Sequence, residues 1–266
     1  MSGKFTKKAR RKKEKAGKKG SAVWRWVGPS ILGAALLLVV LFLLSLTQGE
    51  GGQVPEEPSE GTETREETGE SLQISGVQTV ELNLGRGLLV KEIGKYTGVY
   101  MEDGSDEIVT GILMILVENT GDQDVEYGEI TLTDDNGGTA FFSVSTLPAG
   151  ESAVLLEKNR RTYEESVAFT AGTAENVAMY PEALSLCEDK VQIQVVGGAL
   201  NVTNISGEDI SGDIRIYYKN SGGDMLYGGI TYLARIEGGL KAGELRQVMP
   251  AHFSQQGSRI LFVTVG

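Results

Sequence analysis

One histidine and one cysteine are all that 266 residues offer for nucleophile–base chemistry. A thiolate at Cys187 needs an imidazole partner, and only His252 can supply one, with nothing in the sequence to bring the two together. A lone cysteine is more often a small hydrophobe, so Cys187 is expected to be a buried, inert thiol. It also rules out an intramolecular disulfide. Carboxylates are abundant but unmarked. Asp122-Gln123-Asp124, Glu126 and Gly128 approach a calcium loop, yet the glycine comes late and Thr133 stands where that loop needs glutamate. Glu102, Asp103, Asp106 and Glu107 form a second acidic cluster, open either to weak calcium binding or to plain solvation. No carboxylate pair is set by spacing for glycoside cleavage. Serine-hydrolase, zinc-protease, phosphate-loop and dinucleotide fingerprints are absent. The expectation is a non-catalytic chain with no cofactor and no metal site. For recognition there remain Tyr217, Tyr227 and Tyr232, a candidate aromatic face, with half-buried cross-strand packing as the competing reading.

The elements that would position these residues follow an N-terminal stretch of three blocks. Residues 1–22 are a basic tail. Up to Trp26 the chain has eleven Lys or Arg against Glu14 alone. Residues 23–47 contain the uncharged run Val27–Leu46, and twenty helical residues cover about 30 Å, the thickness of a bilayer's hydrocarbon core. Trp24 and Trp26 fall at headgroup level with Arg25 able to snorkel between them, which makes these three the expected membrane-interface residues. The basic flank keeps the N-terminus cytoplasmic. The run exceeds a signal-peptide core, and no clear cleavage site follows Ser45-Leu46-Thr47, so an uncleaved single-pass anchor is expected. Residues 48–71 are an acidic linker, eight Glu against Arg65 with too few large apolar side chains to fold. The whole chain carries −11 and the part after Trp26 carries −21, so an exposed ectodomain is not expected to bind nucleic acid. The basic tail is expected to meet anionic lipid headgroups.

From Leu72 onward the texture is that of an all-β protein. Val191, Ile193 and Val195 alternate with Gln192 and Gln194, and Ile214, Ile216 and Tyr218 alternate with Arg215 and Tyr217. Ile108–Val117 is apolar on both faces, as in a central strand packed on two sides. Asp134-Asp135-Asn136-Gly137-Gly138 supplies a hairpin turn. The pattern then recurs. Glu118-Asn119-Thr120-Gly121, Gly128 to Leu132, Asn136-Gly137-Gly138 and Leu147-Pro148-Ala149-Gly150-Glu151 are matched in order. Their counterparts are Thr203-Asn204-Ile205-Ser206-Gly207, Gly212 to Ile216, Asn220 to Gly223 and Leu240-Lys241-Ala242-Gly243-Glu244. Intervals agree within a residue except the last, 12 from Gly138 to Gly150 against 20 from Gly223 to Gly243. That difference predicts an insertion in the second copy, a longer hairpin around Tyr227 to Ile236. The predicted fold class is all-β, with two tandem antiparallel β-sandwich modules over 72–186 and 187–266 behind one transmembrane helix and an acidic linker.

A strand ending in Asn, a polar turn, a second strand, a hairpin and a Leu-x-Ala-Gly-Glu approach resemble bacterial immunoglobulin-like modules of the FxLYD and CARDB kind. Ile214-Arg215-Ile216-Tyr217-Tyr218 is similar to the motif that names the FxLYD group, with Tyr218 where that motif has Asp. The resemblance covers residues 108–157 and 190–266. It implies an envelope location and modules that bind or space rather than catalyse. Together these features lead to the expectation of a membrane-tethered extracytoplasmic binding or scaffold protein of a bacterial envelope. Its partners would be the lipid bilayer and an envelope protein or wall polymer. The alternative is a bitopic subunit of a membrane assembly for division, sporulation or secretion.

Overall fold

Short apolar runs broken by glycine and Asn/Asp turns leave the backbone one way to satisfy its polar groups away from water, which is to pair strand with strand. The computed structural model describes residues 72–266, which form thirteen strands and no helix. They are β1 (Gln73–Gly85), β2 (Leu88–Val99), β3 (Ile108–Asn119), β4 (Val125–Asp134), β5 (Thr139–Leu147), β6 (Ser152–Leu156) and β7 (Phe169–Met179), followed by β8 (Val191–Val196), β9 (Ala199–Asn204), β10 (Ile214–Gly222), β11 (Met225–Ile236), β12 (Leu245–Val248) and β13 (Ser258–Val265). The basic tail, the 23–47 span with Trp24, Arg25 and Trp26, and the linker lie outside the described residues. Among those described, no helix is long and apolar enough to cross a membrane.

The strands make three sheets. In the first half, β2-β3-β6 face β5-β4-β7. In the second half, β8-β9-β12 face β11-β10-β13, which is the same order strand for strand. The duplicated sequence is thus a duplicated topology, and β1 is an extra strand beside β2. The core of the first half joins Leu88, Val90, Leu113, Ile115 and Val117 to Ile130, Leu132, Phe142 and Val144. That of the second joins Val191, Leu200 and Val202 to Ile214, Ile216, Tyr218 and Val263. The other face of β3 packs as well. Ile112 and Met114 meet Tyr96, Tyr100, Met101 and, from β6, Val154 and Leu156, so this central strand is buried on both sides.

The halves do not stay separate. β6 pairs in parallel with β11, Ser152 to Met225, Ala153 to Leu226 and Val154 to Tyr227, which fuses four strands of the first half with three of the second into one seven-stranded sheet. The 186/187 boundary falls in the connection from β7 to β8, and the pairing crosses it. The ladder is therefore not wholly antiparallel, and the reason is the insertion. Ile130 pairs with Phe142 twelve residues on, whereas its counterpart Ile214 pairs with Ile236, twenty-two residues on. The extra length forms a hairpin tip that reaches over to β6. Leu226 at that tip is fully buried in the core of the first half. Burying one leucine stabilises by about 1.5–3 kcal/mol, more than one net hydrogen bond of the pairing at about 0.5–1.5 kcal/mol.

Register also fixes the faces. Ala153 and Leu226 point into the core of the first half, while Val154 and Tyr227 point the opposite way. Asn220 pairs with Tyr227 and lies two residues from Tyr218, so the second core occupies that opposite face. The two three-stranded sheets thus cover opposite sides of the shared sheet, one over each half.

Candidate functional site

The inserted hairpin brings two ionisable side chains into the joint between the halves. β6 and β11 diverge after Val154 and Tyr227, and the carboxylate of Glu102, from the β2–β3 loop, fills the gap. Its Oε1 accepts the N–H of Leu156 at 2.8 Å and its Oε2 accepts the N–H of Gly229 at 2.7 Å. Each is two residues past the last paired rung, so the carboxylate stands where the next rung of the parallel ladder would be. Lys219, wholly buried on β10, donates from Nζ to Gly228 O at 2.7 Å. The backbone here is tight. Gly228 has φ +82°, and a Cβ on it would lie 2.7 Å from Met101 O; a Cβ on Gly229 would collide with Ser143 O. From β5, Ser145 donates to Gly229 O at 2.8 Å and meets the Thr231 hydroxyl at 2.9 Å.

Electrostatics follow from this enclosure. Burial is the largest influence on Glu102 and pushes its carboxyl up to about 7, against the opposing pull of the Leu156 and Gly229 N–H groups and of Lys219. Burial likewise pushes Lys219 down to about 7, opposed by the charge of Glu102. Tyr96 is raised well above its ordinary range by burial and, secondly, by Glu102; its hydroxyl donates to Val99 O at 2.7 Å.

A groove of about 690 Å³ opens beside the joint, on the face of the second core. Tyr96, Val99, Met101 and Asp106 of the first half form one wall and Asn220, His252, Phe253 and Ser254 of the second form the other, with Leu72 also lining it. His252 Nδ1 lies 3.2 Å from Asp106 Oδ1, and its ring stacks on Tyr232 at 5.0 Å between centroids. Aromatic and apolar side chains in these walls are mixed with the polar Asp106, Asn220, His252 and Ser254.

Of the three tyrosines, Tyr227 and Tyr232 share this face. Tyr232 stacks on Tyr218 as well as His252, and Tyr227 covers Gly222. Tyr217 points to the opposite face, where it stacks flat on Phe262 at 4.1 Å with Tyr180 edge-on to the same ring. The structure therefore brings two of the three together. Cys187 is half-buried, packs beside the second core and directs Sγ to Val263 O at 3.2 Å. It sits in the β7–β8 connection beside Val263 of β13, partly exposed rather than buried as the sequence suggested. Asp124 uses both carboxylate oxygens on backbone N–H groups, Ala149 at 2.9 Å and Leu184 at 3.1 Å, so it fastens a loop. Of the second acidic cluster Glu102 turns inward, while Asp103 and Glu107 meet Arg160 outside. The Asp103 carboxyl is held below its usual range by hydrogen bonds from Ser105 first and Arg160 next. Sequence reasoning had no means to separate Glu102 from its acidic neighbours. Lys219 carried one signal: it continues the Arg215, Tyr217 alternation to the point where the insertion begins.

Comparison with protein-family models, with curated proteins and with solved structures finds no match.

Proposed function

We propose that this chain is a membrane-tethered binding or scaffold protein of a bacterial envelope, non-catalytic, anchored by residues 23–47 with its N-terminus in the cytoplasm. In this reading residues 72–186 and 187–266 are tandem immunoglobulin-like modules of the FxLYD or CARDB kind, displayed outside the cell. The observation that carries it is the shared seven-stranded sheet. A linker between independent modules leaves their surfaces free to move, whereas a continuous ladder fixes both halves and the groove between them in one presentation, as docking requires. The treatment of inward carboxylates supports the non-catalytic part. Glu102 and Asp124 each accept two backbone N–H groups, and Glu157 accepts those of Phe141, Asn159 and Arg161. Carboxylates so engaged hold loops and are poorly placed to move a substrate proton.

The partner is an envelope protein or wall polymer, and the basic tail adds contact with anionic lipid. The second reading is a subunit of a larger membrane assembly, in which anchor and tail make specific contacts of their own. Exchanging residues 1–46 for an unrelated single-pass anchor distinguishes the two. The binding reading predicts that the exchanged protein complements a deletion strain; loss of complementation at equal surface display favours the assembly.

A further inference from the structure

Two loops meet across the groove, one from each half. Asp106 belongs to the β2–β3 loop and His252 to the β12–β13 connection. Among the described residues, the contact of His252 Nδ1 with Asp106 Oδ1 at 3.2 Å is the one hydrogen bond that joins the two walls. The side chains are 26% and 61% exposed, so protons reach the contact from solvent. Both residues hold left-handed backbone, φ +59° at His252 and +55° at Asp106, a conformation uncommon outside glycine. Strain of this kind gathers at clamps and switch regions.

His252 is also the only histidine of the chain, and histidine is the side chain whose ordinary charge change falls between about pH 5 and pH 8. A neutral ring protonated on Nε2 turns a lone pair to the Asp106 carboxylate, whereas the imidazolium donates to it from Nδ1. The other charged and titratable groups around the ring are Asp103 and Glu102 of the same loop, Tyr232 of β11 and, beyond Phe253, Tyr218 of β10. Lys219 of β10 is directed to Gly228 O instead. The negative face of the Tyr232 ring, stacked at 5.0 Å, favours positive charge as the carboxylates do.

We propose that His252 and Asp106 form a proton-operated gate on the groove: the imidazolium ties the two walls together, and loss of its proton lets them part. A contact strengthened by a proton is favoured as pH falls, so the groove closes in acid and opens as the ring becomes neutral. Met101 shares the loop of Asp106, and Phe253 follows His252, so parting the contact uncovers apolar surface on both walls. The gate regulates the groove, so its use rests on the binding reading above.

Double electron–electron resonance on the full-length protein in lipid vesicles tests the gate. In a Cys187→Ser background, nitroxides are placed at Ser105→Cys and Gln255→Cys, exposed positions on the two loops. Between about pH 8 and about pH 5 the ratio of short to long distances is expected to rise about two- to fivefold, the range of a partly exposed ion pair. His252→Gln should abolish that response, and Asp106→Asn should do the same if the histidine variant fails to fold. A ratio that is constant with pH, or that falls in acid, overturns the proposal. So does a response that survives both substitutions, which would assign it to Glu102. These distances are read with no partner present, so their failure leaves the binding reading intact, while that reading fails on the anchor exchange alone.

Discussion

Asn119 and Asn204 do the same work at equivalent points of the two halves. Each buried amide accepts an N–H two residues on, Gly121 at 3.0 Å or Ser206 at 3.0 Å, and donates to a carbonyl four residues on, Gln123 or Glu208. Each also donates across the core, to Leu147 O or Leu240 O, both at 3.0 Å. The turn-closing bonds were legible in the sequence, because Asn is a residue that folds back on its own backbone. The bond across the core was not, since nothing in a local pattern says which distant carbonyl lies overhead. Asn204→Ala strands buried carbonyls and is expected to destabilise by about 1–3 kcal/mol, with Asn119→Ala comparable. Chemical denaturation that finds either variant within a few tenths of wild type contradicts this. Glu102 and Lys219 give a pH signature. Between the ordinary carboxylate value of 4.5 and about 7 the folded chain holds a proton on Glu102 that the unfolded chain has released, so stability falls as pH rises. Between about 7 and 10.5 the unfolded chain holds a proton on Lys219 that the folded chain lacks, so stability rises again. The melting temperature, measured against pH relative to a Glu102→Gln/Lys219→Met double variant, is expected to dip near neutrality. A flat difference curve removes the pair from this role.

Among the elements, the hairpin of β10 and β11 carries the most consequence. Its existence was legible as a length difference between two otherwise matched copies, and the alternation of Ile214, Ile216 and Tyr218 gave its buried face. Its destination was not legible. The tip sequence, Ser221-Gly222-Gly223-Asp224, reads as an ordinary turn, and a parallel pairing with residues about seventy positions earlier leaves no periodic mark. The groove was hidden for the same reason, because one wall comes from β2 and the β2–β3 loop and the other from β10 and the β12–β13 connection, which meet only once β6 and β11 have paired. Replacing Asn220–Ile230 by a short turn is expected to turn one cooperative thermal transition into two, as each half then unfolds alone. A single transition after this replacement means that other contacts, such as the ion pair of Arg259 with Glu151, suffice to couple the halves.

For the whole molecule, the all-β class was legible from runs and turns, and the duplication from matched intervals, because both are written in local spacing. The fusion into one sheet depends on long-range pairing and came only with the structure. In the proposed function this fused sheet stands outside the cell on an uncut anchor, with its groove turned to a partner. Surface labelling tests that directly. In a Cys187→Ser background, Glu237→Cys places a thiol at a side chain 79% exposed in the second half. A membrane-impermeant maleimide applied to intact cells is expected to label the full-length, membrane-bound protein as fully as it does after permeabilisation. Labelling only after permeabilisation, or a labelled polypeptide that has lost residues 1–46, would contradict the account.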